Sequence, residues 1–504
     1  MLARVTSRGS TRGRRTLGRG IVHVAIALAA AFGILAGAAG YWGVVRAPEL
    51  VSSPNDAAVI AASRSVPRGQ ILDRDGKVLA RNEQDENGES YRVYAGAAAS
   101  QVVGYASARY GRAGLERSYD AELIGLAGDS LTDLMARFGA DRFDPKDLTT
   151  SLSWDLQRSA VRALGKRRGA VVMLDPRTGE VLALASTPVY DASKIANPAT
   201  ADAAFAALRE DDAQPLLPRA TQGRYVPGSV FKIVTAIAGL GSGAVSAATS
   251  YPEQPPAEED GLLVEGFRVR DGHHPETGSR ELDIIEATEV SCNIWYALTG
   301  LETGGEALVE YADRMGFGAP LPFDLPTAVS QVTDGDGNAP GGFLDDVELA
   351  NASYGQAETF VTPLQMALVA ATVANDGELM RPRLGTALTS KRTGTRTLGP
   401  ERIGRVIDAA DAEVITEAMV AAVEGDLGRR FTAGADVPGT TTAGKSGTAE
   451  LGGTGEPHSW FIGFAPAEDP TVAIAVLVER AGRGGEVAAP IAGDLMATYL
   501  EAGS

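Results

Sequence analysis

The amino-acid sequence predicts a mixed α/β (α+β) fold in which an antiparallel sheet is flanked by helices. Two apolar segments, 169–174 and 180–185, flank a turn at Pro176–Gly179, which is the pattern of a β-hairpin. Apolar residues then recur with a helical period after residue 232, and further strand-like segments precede a closing helix. We predict these later strands over 445–448, 460–464 and 471–478, and the closing helix over 490–500.

The other elements are predicted from local patterns. Residues 68–80 form two strand-like segments joined by an Asp-Gly turn, and residues 152–164 have a helical period. The segment Tyr251–Asp260 is rich in proline and acidic residues and predicts a loop. The apolar segment Ala367–Val373 predicts a second buried helix.

The length of 504 residues indicates more than one domain. We predict a cytoplasmic basic tail over 1–20, a transmembrane anchor over 21–45, a small domain over 46–150 and a large domain over 151–504. Residues 1–20 contain six arginines and no acid, and Val24–Val45 is an uncharged stretch of 22 residues, long enough to cross a bilayer. The arginines place the N-terminus in the cytoplasm and the rest of the chain outside. A cleaved signal peptide is the alternative, because Ala36–Ala38 resembles a cleavage site.

The net charge and the cysteine and histidine content argue against several classes of function. The formal net charge of −18 opposes binding to nucleic acid or to anionic lipid. The single cysteine, Cys292, excludes an intrachain disulfide and is expected to be a small buried residue. The four histidines do not have metal-ligand spacing, so we expect no metal and no cofactor.

Ser229 lies three residues before Lys232, at the start of the first predicted buried helix. Residues at i and i+3 share a helix face, so the hydroxyl and the amine can meet. A serine needs an adjacent base to act as a nucleophile, and a buried lysine can be that base. Taken alone, the pattern is common by chance and favours a helix-capping serine beside a lysine that reaches solvent.

Two later motifs make the catalytic interpretation stronger. Ser291-Cys292-Asn293 follows Ser229, and Lys445-Ser446-Gly447 comes far downstream. Ser-x-x-Lys, Ser-x-Asn and Lys-Ser/Thr-Gly in this order are a signature of penicillin-binding proteins and class A β-lactamases. The surrounding residues Gly444–Glu450, His458–Pro466, Tyr354–Gln356 and Thr362–Ala367 extend the likeness.

From about residue 150 to the C-terminus, the chain resembles the transpeptidase domain of a class B penicillin-binding protein of the short, actinobacterial type. One departure is Pro218, where such proteins usually have asparagine. The segment Arg68-Gly-Gln-Ile-Leu-Asp-Arg74 resembles the start of the non-catalytic pedestal domain of these proteins. A class A penicillin-binding protein would need a glycosyltransferase domain here, and residues 46–150 are too few for one. The resemblance implies a five-stranded antiparallel sheet flanked by helices, an all-helical subdomain and a membrane anchor.

The resemblance also implies a mechanism. Ser229 would attack the carbonyl of a peptidoglycan stem peptide that ends in D-Ala-D-Ala, with Lys232 as base. Burial and the charge of Lys445 are expected to lower the pKa of Lys232. Ser291 would relay a proton, and Asn293 would hold the donor amide. Lys445–Thr448 would lie on an exposed strand edge, with Ser446 and Thr448 for the terminal carboxylate and Gly447 for close approach of the substrate. The N–H groups of Ser229 and Thr448 would hold the oxyanion.

The implied function is a membrane-anchored D,D-transpeptidase that cross-links stem peptides and is acylated by β-lactams. It would span the plasma membrane once, with its catalytic domain outside, and a polymerase of the SEDS family is a candidate partner. A D,D-carboxypeptidase, a β-lactamase or β-lactam sensor, and a non-catalytic cell-wall scaffold are the alternatives. The sequence leaves open the acceptor and the third residue of the stem peptide.

Overall fold

A computed structural model describes residues 13–41, 67–84, 88, 90–125, 143–271, 274, 277, 280–432, 434–452 and 455–503. The chain divides into two compact units, Met1–Ser65 and Val66–Ser504. In the first unit, a helix spans Gly13–Gly40, and the large apolar side chains described between residues 22 and 35 are exposed. Within the described part of the chain, no helix is both long enough and apolar enough to cross a membrane. Residues 42–45 of the predicted anchor lie outside the described residues.

The helices of the second unit cover most of the segment between the predicted hairpin and the last strands. Short 3₁₀ turns occur at Ala97–Ala99, Gly228–Phe231 and Pro340–Gly342. Numbered along the chain from α1 (Gly13–Gly40), the helices are α2 (Ser100–Val103), α3 (Gly114–Ser118), α4 (Asp120–Leu123), α5 (Trp154–Leu164), α6 (Ala192–Ala196), α7 (Ala201–Glu210), α8 (Arg219–Gln222), α9 (Lys232–Ser242), α10 (Gln254–Asp260), α11 (Ile284–Glu289), α12 (Asn293–Thr303), α13 (Gly305–Arg314), α14 (Asp346–Ala352), α15 (Pro363–Ala374), α16 (Ala409–Glu424), α17 (Arg429–Thr432) and α18 (Gly484–Gly503).

The described strands form a five-stranded sheet, a six-stranded sheet that includes the N-terminal strands of the unit, and three two-stranded ribbons. They are β1 (Ile71–Leu72), β2 (Val78–Gln84), β3 (Ser90–Tyr94), β4 (Ala106–Ser107), β5 (Gly111–Arg112), β6 (Lys146–Thr150), β7 (Gly169–Leu174), β8 (Val181–Thr187), β9 (Leu262–Val264), β10 (Phe267–Val269), β11 (Glu378–Met380), β12 (Gly385–Ser390), β13 (Gly394–Thr397), β14 (Arg402–Arg405), β15 (Ala443–Ala449), β16 (His458–Ala465) and β17 (Val472–Val478).

The predicted five-stranded antiparallel sheet is confirmed, in the order β15-β16-β17-β7-β8. The strands β7 and β17 are continuous apolar runs because α15 packs on one face of the sheet and α18 on the other. Alternate residues of β7 therefore enter different cores: Val172 lies in one buried cluster, and Val171 and Met173 lie in the other. The strand β15, which carries Lys445, is an edge strand.

Most other local predictions are also confirmed, and two need correction. The predicted loop Tyr251–Asp260 contains the helix α10, because its two prolines occupy the first turn, where a helix needs no N–H donor. The closing helix begins at Gly484, six residues before the predicted start, with Pro490 inside it.

The N-terminal sheet has the order β13-β12-β6-β1-β2-β3. The turn between β1 and β2 contains Gly76 with φ +81°, as the Asp-Gly pattern predicts. Two of the strands, β12 and β13, come from the distant segment 385–397, which the sequence did not assign to this region. Hydrogen bonds between β12 and β6 thus join the small-domain segment to the large one.

Candidate active site

Ser229 lies on the 3₁₀ turn Gly228–Phe231, directly before the buried helix α9. Its position borders a cleft of about 1050 Å³. The backbone before the turn is held by the Trp460 indole, whose Nε1 donates to the Val226 carbonyl at 3.0 Å. The sequence predicted Ser229 at a helix start, and the structure places it one short turn ahead of the α-helix.

Two glycines let β15 pack directly against the turn that carries Ser229. Gly228 has φ +58°, and a Cβ there would lie 2.9 Å from the Thr448 carbonyl oxygen. A Cβ on Gly447 would lie 2.9 Å from the Pro227 carbonyl oxygen. Gly447 therefore has a packing role that the sequence did not indicate, and its role in substrate approach stays a prediction.

Ser291 joins the two lysines of the site. Its φ of +62° is unusual for a residue with a side chain and stores backbone strain of roughly 1–3 kcal/mol. In this conformation both the carbonyl oxygen and Oγ of Ser291 face Lys232, with Nζ 3.2 Å from Oγ. Lys445 Nζ lies 2.9 Å from the same Oγ. The motifs that are 154 residues apart in sequence thus meet at one hydroxyl.

Lys232 is fully buried, and its Nζ also donates to Asn293 Oδ1 at 2.7 Å. Burial lowers its pKa to about 8, against an opposing effect of the Asp271 carboxylate. Within the described part of the chain, Lys232 Nζ forms no hydrogen bond with the Ser229 hydroxyl; its bonds go to Ser291 and Asn293. Because the pKa of Lys232 is about 8, a substantial fraction of its amine is neutral near pH 8.

Lys445 is also buried, and burial followed by repulsion from Lys232 lowers its pKa well below the ordinary value. The sequence predicted that burial and the charge of Lys445 would both lower the pKa of Lys232. Burial does lower it, and the repulsion between the two amines lowers the pKa of Lys445.

Asp271 is a site residue that the sequence analysis missed. It is 3 % exposed, and its Oδ2 accepts from the backbone N–H groups of Asn293 at 2.5 Å and Ile294 at 3.3 Å, at the start of α12. Burial alone would raise its pKa, but His274 and Lys232 outweigh this effect and lower it. Its sequence context, a glycine followed by two histidines, contains no signal for this contact.

The histidine spacing in the sequence did not predict a metal site, yet the fold brings three potential ligands together. Atoms of Glu258, His274 and Cys292 lie within 4.8 Å of one another, so this group could hold a metal ion. The contacts of Cys292 are those of a thiol: Sγ lies 3.6 Å from Glu258 Oε1 and accepts from the Trp295 N–H at 3.3 Å. Burial raises the pKa of Cys292, which fits the small buried residue predicted from the sequence.

The predicted site residues occupy two layers. Ser229, Asn293 and Thr448 line the cleft, while Lys232, Ser291 and Lys445 form the hydrogen-bonded group beside them. The Thr448 side chain is exposed, and its Oγ1 accepts from the Gly484 N–H at 3.2 Å. The Ser446 hydroxyl instead donates to the Phe431 carbonyl at 3.3 Å, so its predicted role toward a carboxylate remains a prediction.

Comparison with known proteins identifies the family to which this site belongs. A family model for the penicillin binding protein transpeptidase domain matches residues 169–497, and one for the penicillin binding protein A dimerisation domain matches residues 68–141. The chain belongs to the penicillin-binding protein transpeptidase family. The matched ranges lie inside the predicted segments 151–504 and 46–150, whose boundaries stay predictions.

Full-length relatives of this penicillin-binding protein agree with that assignment. The chain is 36 % identical to the peptidoglycan D,D-transpeptidase PbpA of Mycolicibacterium smegmatis, over 96 % of this chain and 99 % of the relative. It is 34 % identical to PbpA of Mycobacterium tuberculosis strain H37Rv, over 89 % and 92 % of the two chains. The penicillin G acyl-enzyme of penicillin-binding protein A from M. tuberculosis superposes with a TM-score of 0.73 at 32 % identity, over 86 % and 100 % of the two chains.

These similarities confirm the predicted class B family, the mixed α/β transpeptidase fold and the function of a serine-type peptidoglycan D,D-transpeptidase.

Proposed function

We propose that Ser229 is the nucleophile of this transpeptidase and that Lys232 is its general base. The observation that carries the proposal is the meeting of Lys232 and Lys445 at Ser291, beside a cleft that Ser229 borders. An unpaired serine hydroxyl needs a base, and a buried lysine with a lowered pKa is suited to that role.

The hydrogen-bonding capacity of Lys232 supports its role as base. A neutral lysine amine has two N–H donors and one lone pair. The Ser291 carbonyl and Asn293 Oδ1 are oxygens that only accept, and together they use both donors. The lone pair of the neutral amine is then available to a hydroxyl, either that of Ser229 before attack or that of Ser291 afterwards.

Ser291 is placed to pass a proton to the leaving D-alanine. Its hydroxyl lies between the Lys232 and Lys445 amines, 3.2 Å from one and 2.9 Å from the other. After Lys232 takes the Ser229 proton, Ser291 can donate its own proton to the departing amine and recover one from a lysine. The strained backbone of Ser291 keeps this hydroxyl aimed at both amines.

The donor peptide would extend along the free edge of β15, with Asn293 holding its amide and Thr448 near its carboxylate. An edge strand offers unpaired backbone groups for pairing with an added strand. Ser446 and Gly447 would contribute through the backbone of β15. The N–H groups of Ser229 and Thr448 would hold the oxyanion, and loss of one such donor typically raises the activation barrier by about 3–4 kcal/mol.

We also propose that the protein is anchored in the plasma membrane by residues 21–45, with residues 1–20 in the cytoplasm and the catalytic unit outside. The support is the uncharged stretch Val24–Val45, the six arginines before it and the exposed apolar side chains of α1. A peptidoglycan polymerase of the SEDS family is the proposed partner. It would supply the glycan strands whose stem peptides are cross-linked.

Covalent labelling with a fluorescent penicillin tests the site assignment. A β-lactam acylates the serine nucleophile of a penicillin-binding protein, as the acyl-enzyme of the M. tuberculosis relative illustrates. We expect the intact protein to label and Ser229→Ala to abolish labelling. Ser53→Ala is the control, because Ser53-Pro54-Asn55 is a second Ser-x-Asn that precedes Ser229, and it should leave labelling unchanged. Labelling of Ser229→Ala would refute the assignment, and failure of the wild-type protein to label would refute the proposed function.

A further inference from the structure

The cleft beside Ser229 has an uneven distribution of charge. Among the described residues that line it, seven are aspartates or glutamates, and the two basic ones are Arg268 and Arg270. An acidic wall repels a carboxylate of a bound substrate. The terminal carboxylate of the donor is assigned to Thr448, so a second carboxylate of the donor needs one of these two guanidiniums as its partner.

The guanidinium of Arg268 is already bound. Its Nη1 donates to the backbone carbonyls of Asp260 and Gly261, the latter at 3.2 Å, at the end of α10. Within the described part of the chain, the guanidinium of Arg270 forms no hydrogen bond and no ion pair. Arg270 is therefore the basic side chain of the cleft that is available to a ligand.

The backbone of Arg270 is fixed next to the predicted donor-binding residue. Its carbonyl oxygen accepts from Asn293 Nδ2 at 3.3 Å. The residues on either side, Val269 and Asp271, are buried, and Asp271 is bound to the start of α12. The exposed side chain of Arg270 thus projects from an anchored backbone beside Asn293.

We propose that Arg270 binds a carboxylate of the donor stem peptide and so selects donors in which that carboxylate is free. This inference rests on the proposed function, in which Asn293 holds the donor amide. A guanidinium presents paired N–H donors that match a carboxylate, which a lysine does not. The carboxylate belongs either to the D-glutamate of the stem or to a diamino acid at its third position.

Steady-state kinetics with synthetic pentapeptide donors test the proposal. Three donors are compared: one with both carboxylates free, one amidated on the glutamate and one amidated on the third residue. A charge-assisted hydrogen bond corresponds to about a tenfold preference or more in kcat/KM. We expect the wild-type enzyme to show this preference against one of the amidated donors, chiefly through KM, and that donor identifies the carboxylate.

The variants separate recognition from structural damage. Arg270→Ala should lose the preference while using the amidated donor as well as the wild-type enzyme does. Arg270→Lys should restore part of the preference, and Arg268→Ala should retain all of it. Equal losses with free and amidated donors, or an unchanged preference in Arg270→Ala, would overturn the proposal. Wild-type acylation by penicillin is measured in parallel, since its absence would refute the proposed function rather than the role of Arg270.

Discussion

The pH dependence of Ser229 acylation follows from the environment of Lys232. The amine must be neutral to accept the serine proton, and burial lowers its pKa from 10.5 to about 8. At about pH 7, a pKa of about 8 leaves roughly 9 % of the amine neutral, whereas a pKa of 10.5 would leave roughly 0.03 %. Burial therefore increases the population of the active base about 300-fold.

The sign of the effect is set by the direction of the pKa shift. Raising the pH from about 7 to about 9 increases the neutral fraction of Lys232 from roughly 9 % to roughly 91 %. We expect the rate constant for acylation by a fluorescent penicillin to rise about tenfold over this range, with an apparent pKa near 8. Quenched labelling reactions at a series of pH values, with Ser229→Ala as the blank, give this profile.

Substitution of Asp271, whose carboxylate acts on Lys232, allows a second test with the same pH profile. The Asp271 carboxylate raises the pKa of Lys232, so Asp271→Asn should move the midpoint of the profile to lower pH. The asparagine carbonyl can still accept the backbone N–H of Asn293, which limits the structural change. A flat or falling profile in the wild-type enzyme, or a midpoint that moves to higher pH in Asp271→Asn, would refute Lys232 as the base.

Two further predictions concern packing in the second unit. Gly447→Ala places a methyl group 2.9 Å from the Pro227 carbonyl oxygen, so we expect the free energy of unfolding to fall by about 1–3 kcal/mol and penicillin labelling to be slower. A variant as stable as the wild-type protein would contradict the packing role of Gly447. Glu479→Ala leaves the buried Arg219 without its carboxylate partner. We expect the free energy of unfolding, measured by urea denaturation, to fall by about 3 kcal/mol. The matched control Asp469→Ala removes an exposed ion pair and should cost at most about 1 kcal/mol; equal losses in the two variants would show that burial does not matter here.

Local patterns predicted much of the fold. The hairpin of β7 and β8, the later strands and the buried helices follow from apolar periodicity and turn residues, which act over a few positions. The prediction of a loop over Tyr251–Asp260 is wrong because the two prolines of this segment occupy the first helical turn, which accepts proline. The pairing of β12 with β6 had no local signal, since it joins segments more than 230 residues apart.

By itself, the sequence determined the family and the order of the three motifs. It also predicted Ser229 as the nucleophile, Lys232 as the base and Lys445 as the second lysine of the site. These are properties of residue type and spacing. Only the tertiary structure decided that the two lysines meet at Ser291 and that the Asp271 carboxylate accepts the backbone N–H of Asn293. It also decided that Gly447 packs on the turn that carries Ser229 and that Arg270 is available to a ligand in an acidic cleft. These features depend on burial and on contacts between distant segments. Both arise only when the chain has folded and water has been excluded from the site.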